Sequence, residues 1–157
     1  MTTSTILHDS TLAEVPPLRD RDLELQLVRR SAADARRSWA PAYHFEMRVP
    51  NGDIAGWIDL RVGDAEEVAL YNGHIGYTVR TAYRGRRYAA RSCRLLFNLA
   101  RLHGFSELWI TCNPDNEASR RTCERAGGEY VETVDLPADN DLYRRGDRQK
   151  CRYRFVL

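Results

Sequence analysis

The run Tyr83-Arg84-Gly85-Arg86-Arg87-Tyr88-Ala89 decides the fold, because it joins an apolar strand, Ile75 to Val79, to a long helix beginning near Tyr88. A strand that empties through a glycine-containing basic turn into a helix N-terminus leaves several backbone N–H groups unpaired at the positive end of the helix dipole. Arg84, Arg86 and Arg87 crowd that turn. The guest it suits is a phosphate or pyrophosphate.

Working outward, Ala89, Cys93, Leu96 and Ala100 recur at helical spacing behind the turn, and Gly104 is placed to cap the helix C-terminus. A short apolar strand, Leu108 to Cys112, follows. Asn113-Pro114-Asp115-Asn116 then opens a second helix that stops at Gly127-Gly128, with Arg120, Arg121 and Arg125 on its outward face. Upstream, Leu23 to Val28, Tyr43 to Val49 and Ile54 to Val62 alternate apolar and polar residues as strands do. Asn51-Gly52 is a hairpin turn between the last two. Ser31 to Trp39 has helical character, His74 to Arg80 is the fourth strand, and Tyr130 to Val134 and Arg152 to Val156 are the last strands. A polar loop, Pro137 to Lys150, separates those two. Residues 1–22 form a polar tail ending in Val15-Pro16-Pro17, and residues 23–157 form a single domain.

At 157 residues, 43% hydrophobic and 29% charged, the chain has the size of one domain with one core. Its formal charge is +2, and Lys150 is the only lysine, so the basic character lies in arginines gathered between Arg80 and Arg94. Such a local patch fits a small anion better than a polynucleotide track. Cys93, Cys112, Cys123 and Cys151 have neither disulfide-framework nor zinc spacing, so no metal is expected. With no signal pattern and no stretch of membrane-span length, the expected place is the cytoplasm, without membrane contact.

The order of strand, arginine turn, helix, strand and Asn-capped helix resembles the GNAT superfamily of acyl-CoA-dependent N-acyltransferases. That family's pyrophosphate loop, Arg or Gln, two residues, Gly, one residue, then Gly or Ala, falls on Arg84, Arg87 and Ala89. Its Asn-to-Gly helix falls on Asn116 and Gly127. The resemblance implies an α+β fold: a mixed, mostly antiparallel sheet flanked by helices, with splayed fourth and fifth strands holding acetyl-CoA. It implies cofactor contacts from Tyr77, Thr78 and Val79 by main-chain pairing, from Arg84, Gly85, Arg86, Arg87, Tyr88 and Ala89 at the diphosphate, and from Asn116 and Ser119 at the pantetheine arm. Two positions depart from the pattern. Arg87 replaces the central glycine, and Cys123 stands where many members carry the tyrosine that protonates the leaving thiolate.

The implied activity is N-acetyl transfer from acetyl-CoA to a primary amine, by direct attack and without a metal. The alternative is a non-catalytic acyl-CoA-binding or regulatory domain, and nucleic-acid binding through the arginines is the weakest reading. Cys123 is the candidate acid, with Tyr88 and Tyr130 as substitutes. Because an amine must lose a proton before it attacks, a base is needed near the fourth strand. The polar strand face supplies His44, Glu46, Asp59, His74 and Thr78, with Glu46 and His74 ranked first. The segment between the first two strands is short for the family. An open acceptor cleft is therefore expected, completed by the Pro137 to Lys150 loop with its Asp139, Asp141 and Asp147, by the N-terminal tail, or by the second subunit of a homodimer. The acceptor is a small-molecule or peptide amine.

Overall fold

Alternating apolar residues drive four successive antiparallel pairings in the N-terminal half of the chain. The computed structural model describes residues 15–36, 39–63 and 65–157. Strands β1 (Leu18–Asp20), β2 (Leu23–Ser31), β3 (Ala42–Arg48), β4 (Ile54–Arg61) and β5 (Ile75–Val79) make one sheet in that order. Strands β6 (Glu107–Cys112), β7 (Glu129–Asp135) and β8 (Gln149–Val156) make a second, in the order β6-β8-β7. Helices α1 (Tyr88–Leu102), α2 (Glu117–Arg125) and the single turn α3 (Asp141–Arg144) complete the elements that matter here.

The apolar period of β3 and β4 puts Tyr43, Phe45, Met47, Ile58 and Leu60 on one face, all fully buried against Cys93, Leu96 and Ala100 of α1. Each large side chain so buried contributes roughly 1.5–3 kcal/mol, which outweighs any helix propensity lost elsewhere. The opposite face carries His44, Glu46, Trp57, Asp59, Arg61 and Thr78, none of them buried.

The two sheets meet at one point. His74 N–H donates to Trp109 O at 2.7 Å, and Trp109 N–H donates to His74 Nδ1 at 3.0 Å. Gly73 precedes this joint at φ 75°, where an added Cβ would come within 3.0 Å of Thr111 N. Beyond it β5 and β6 share no ladder and lie in different sheets. The result is a V that is closed at His74 and open toward the C-terminal end of β5.

Three local expectations need correction, and one element comes in addition. Residues 18–20, counted above with the polar tail, are strand β1, which Arg91 of α1 holds through Asp20 Oδ2 at 2.7 Å and Asp22 Oδ1 at 2.6 Å. Residues 1–14 of that tail lie outside the described residues. Of the expected helix from Ser31 to Trp39, the described residues are not helical: β2 runs to Ser31, which pairs with Ala42 of β3, and Asp34 bridges to Trp39. Val68–Asn72 forms a wide helical turn that no periodicity announced. The loop before β8 is shorter than expected, since β8 begins at Gln149 and α3 lies within the loop. Among the described residues no helix is long and apolar enough to cross a membrane.

Candidate functional site

The open end of the V is a groove of 620 Å³ between β5, the turn after it, the start of α1 and the outer face of α2. Ladder parity decides what β5 offers. Arg61 N–H bonds His74 O and Arg80 N–H bonds Ala55 O, so the main-chain groups of residues 74, 76, 78 and 80 face β4. Those of Tyr77 and Val79 therefore face the gap. The main chain of Thr78 is directed to Trp57 instead, and only its surface borders the groove.

At the turn, Gly85 (φ 82°) and Arg87 (φ 61°) both adopt the left-handed conformation, which turns the chain abruptly into α1. A residue with a Cβ gives up roughly 1–2 kcal/mol there, so Arg87 holds a glycine's conformation under strain. No side chain caps the first amides of α1. Arg84 folds back, its Nε donating to Val79 O at 3.1 Å, and Arg86 lies 5.8 Å from the Tyr83 ring centroid. Arg84, Arg87, Arg121 and Arg125 line the groove, and among the described residues no carboxylate does.

Ten of the eleven expected cofactor residues converge on this groove: Tyr77, Thr78, Val79, Arg84, Gly85, Arg87, Tyr88, Ala89, Asn116 and Ser119. Arg86 flanks the turn without lining it. Asn116 caps α2, its Oδ1 accepting from Ser119 N–H at 3.1 Å. Arg121 and Arg125 were not named as cofactor residues. The signal was present, since their i, i+4 spacing puts them on one helix face.

Between groove and core, Tyr77 Oη lies 2.6 Å from Ser119 Oγ and 4.0 Å from Cys123 Sγ. Burial raises the Tyr77 hydroxyl far above its usual range, so it stays protonated. Cys123 has no exposed surface, and its hydrogen bond with Cys112, followed by burial, raises its thiol. Tyr88 Oη is directed to Asp22 at 3.1 Å, and Tyr130 Oη bonds Thr133 Oγ1 on β7. Of the tyrosines, Tyr77 was expected only for its main chain, yet its hydroxyl is the one that reaches the V.

On the other face of the sheet, a line of hydrogen bonds crosses three strands. Ser31 Oγ lies 2.8 Å from His44 Nε2, and His44 Nδ1 lies 2.8 Å from Asp59 Oδ1. Asp59 is the register partner of Gly76 on β5, so its carboxylate sits beside the wall of the V. Glu46 is two strands from β5, on the far side of Trp57, and its Oε2 is 2.5 Å from Arg48 Nη2, without hydrogen-bond alignment. His74 is 5% exposed, with Nδ1 engaged by Trp109. Burial, then the nearby Arg61 charge, lowers its pKa to about 4.

A second cavity, of 360 Å³, borders Arg61, Arg36, Trp39 and Asn72 on one side and the 139–145 loop on the other. Of the loop's acids, Asp139 and Asp141 line it, whereas Asp147 is tied to Lys150 Nζ at 2.9 Å and Asn113. Among the described residues no cluster of three metal-ligating side chains occurs.

Known proteins share this fold. A RimL ribosomal L7/L12 α-N-protein acetyltransferase superposes with a TM-score of 0.64 at 18% identity, covering 90% of this chain and 98% of that one. A Vibrio cholerae protein described as a ribosomal-protein-serine acetyltransferase gives 0.61 at 15% identity, over 90% and 97%. The microcin C7 self-immunity acetyltransferase MccE, solved with acetyl-CoA and AMP, gives 0.58 at 18% identity; 74% of this chain is covered, and it spans 61% of that chain's length. No curated protein sequence matches. The sequence model of the acetyltransferase (GNAT) domain matches residues 3–129, which take in the V, the arginine turn and both long helices. By that match the chain belongs to the GNAT acetyltransferase family.

Proposed function

We propose that this chain is an acetyl-CoA-dependent N-acetyltransferase acting on a primary amine. The observation that carries the reading is the groove itself: among the described residues, four arginines and no carboxylate around a helix N-terminus without a side-chain cap, continuous with the Tyr77 and Val79 main chain. The arginines and the α1 amides fit a diphosphate. The open edge of β5 fits the amides of a pantetheine arm, which pair as an added strand does. Acetyl-CoA supplies an activated acetyl thioester.

The chain's own groups divide the remaining work between the two faces of β5. Asp59, oriented by His44, accepts a proton from the substrate ammonium on the open face, and His44 with Ser31 carries it toward solvent. The freed amine attacks the thioester carbon, so that a C–N bond forms as the C–S bond breaks. Tyr77 and Ser119 donate hydrogen bonds to the departing sulfur from the helix face, and the amide nitrogen's second proton completes the thiol. This assignment moves the base from Glu46 and His74 to Asp59 and His44. It moves the donor from Cys123, which is sealed in the core, to Tyr77 and Ser119. The four free cysteines suit the reducing cytoplasm.

Calorimetry with acetyl-CoA, followed by mass spectrometry of a primary-amine pool after incubation, tests the reading. Binding together with a 42 Da gain on one amine, the mass of an acetyl group replacing hydrogen (about 42 by simple stoichiometry), is the expected outcome. Absence of binding would overturn it.

A further inference from the structure

Arg61 is the last residue of β4, and its guanidinium lies across the face of Gly76: a Cβ on Gly76 would come within 3.1 Å of Nη2 and 3.4 Å of Nη1. Nη1 donates to Asn72 O at 3.3 Å and to Gly73 O at 3.0 Å. Among the described residues no carboxylate oxygen lies within 4.0 Å of it. A partly buried guanidinium with only carbonyl partners retains donors for an anion, and satisfying them offsets its desolvation. Among the described residues Nη2 and Nε have no hydrogen-bond acceptor, and the side chain lines the 360 Å³ cavity.

Two residues earlier on the same strand face stands Asp59, about 7 Å away along the strand. The Arg61 guanidinium covers Gly76, and Asp59 is the register partner of Gly76, with its carboxylate bonded to His44 at 2.8 Å. The cavity beyond Arg61 continues the mixture, with Arg36, Arg144 and Arg145 against Glu67, Asp139 and Asp141, and with the half-exposed Trp39 ring as an apolar wall. One of these pairs is already internal, Arg144 with Asp141 at 3.3 Å.

We infer that the acceptor is a small zwitterion, an amine carrying its own carboxylate or phosphate, with the ammonium at Asp59 and the anion at Arg61. The inference deepens the acetyltransferase reading and rests on it for the role of the amine. A plain polyamine would leave Arg61 without a counter-charge, and so would the N-terminus of a peptide whose first residues are uncharged. The 360 Å³ cavity beside Arg61, open to solvent and with Asp59 outside its lining, has room for the anionic end of a small molecule.

The test is calorimetric and uses the full chain saturated with CoA. It is titrated with the twenty amino acids and phosphoethanolamine, with counterparts lacking the anion (cadaverine against lysine, ethanolamine against phosphoethanolamine), and with a C-terminally amidated peptide. At least one anion-bearing amine should bind about tenfold more tightly than its counterpart, the worth of one charge-assisted hydrogen-bonded pair. Arg61→Gln should erase that preference without changing CoA affinity, and Arg61→Lys should restore part of it. Carboxylate and phosphate ligands distinguish the two anion sources. Equal binding of the counterparts, tighter binding of the peptide, no binding of any ligand, or a preference that survives Arg61→Gln would overturn the inference. Should Arg61→Gln fail to fold, the wild-type comparison and Arg61→Lys decide. Turnover is read separately: a binding preference without acetylation would refute the transferase reading and leave the zwitterion site standing.

Discussion

His74 and Trp109 exchange two hydrogen bonds at the closed end of the V, one through each residue's N–H, and this is where the two sheets are pinned together. The imidazole must be neutral at Nδ1 to accept from Trp109. Burial, then the Arg61 charge, depresses its pKa from 6.5 to about 4. The folded state thus resists protonation that the unfolded chain accepts. The associated stability is fully present above about pH 6.5 and is lost as pH falls from there through about 4, to the extent of about 3 kcal/mol. Urea midpoints measured between pH 4 and 7 should show this step in the wild type and lack it in His74→Asn. Parallel pH curves for the two proteins would show that His74 is not the group responsible.

Arg87 occupies the left-handed N-cap of α1, a position whose geometry suits glycine. Arg87→Gly relieves that strain, partly offset by the greater freedom of glycine in the unfolded chain. A gain of up to about 1 kcal/mol in stability is expected. The same change removes one of the cations lining the groove, so acetyl-CoA affinity should fall severalfold and become less salt-sensitive. Thermal unfolding and calorimetry at two salt concentrations check both halves, and tighter binding in the variant would contradict the second.

How far the sequence could be read depended on whether a signal was local. The arginine turn, the Asn116 cap and the alternation in β3 and β4 are short-range patterns, and the groove assembled from them much as their spacing implied. Strand β1 was hidden because three residues carry too little periodicity, and Arg91, the residue that ties them down, lies about seventy positions away. The Tyr77 hydroxyl was hidden, and Asp59 and His44, though in the polar set, were ranked behind Glu46 and His74, for a related reason. Tyr77 reaches Ser119 across 42 positions, and Asp59 gains its place from pairing with both His44 and Gly76. Such partners exist only once the register is set, and no residue type at those positions announces the pairing.

The Ser31–His44–Asp59 line gives a prediction that separates it from Glu46. If Asp59 and His44 carry the amine's proton, Asp59→Asn should lower kcat by about 10²-fold or more, while the acetyl-CoA dissociation constant stays unchanged. His44→Gln should also lower kcat, by a smaller factor. Glu46→Gln, two strands from β5 and beside Arg48, should leave kcat near the wild-type value. A large loss in Glu46→Gln together with a normal rate in His44→Gln would reverse the assignment.

On the proposed mechanism Tyr77 and Cys123 are rival candidates for donating to the departing sulfur, and their surroundings differ in one respect. Cys123 is enclosed by the core with its hydrogen bond directed to Cys112, whereas Tyr77 borders the groove and shares its hydroxyl with Ser119. A donor that stabilises developing negative charge in a site sheltered from water is worth about 3–4 kcal/mol when removed. Tyr77→Phe should therefore reduce kcat by about 10²-fold or more with little change in acetyl-CoA affinity, and Ser119→Ala should reduce it less, because Tyr77 can still turn toward the sulfur. Cys123→Ala should keep kcat near the wild-type value while destabilising the fold by about 1 kcal/mol or more, the usual cost of a small cavity. Pre-steady-state measurement of thiol release separates the bond-breaking step from product release. If Cys123→Ala abolishes that step while Tyr77→Phe retains it, the donor is the thiol and the hydroxyl pair serves only to close the V.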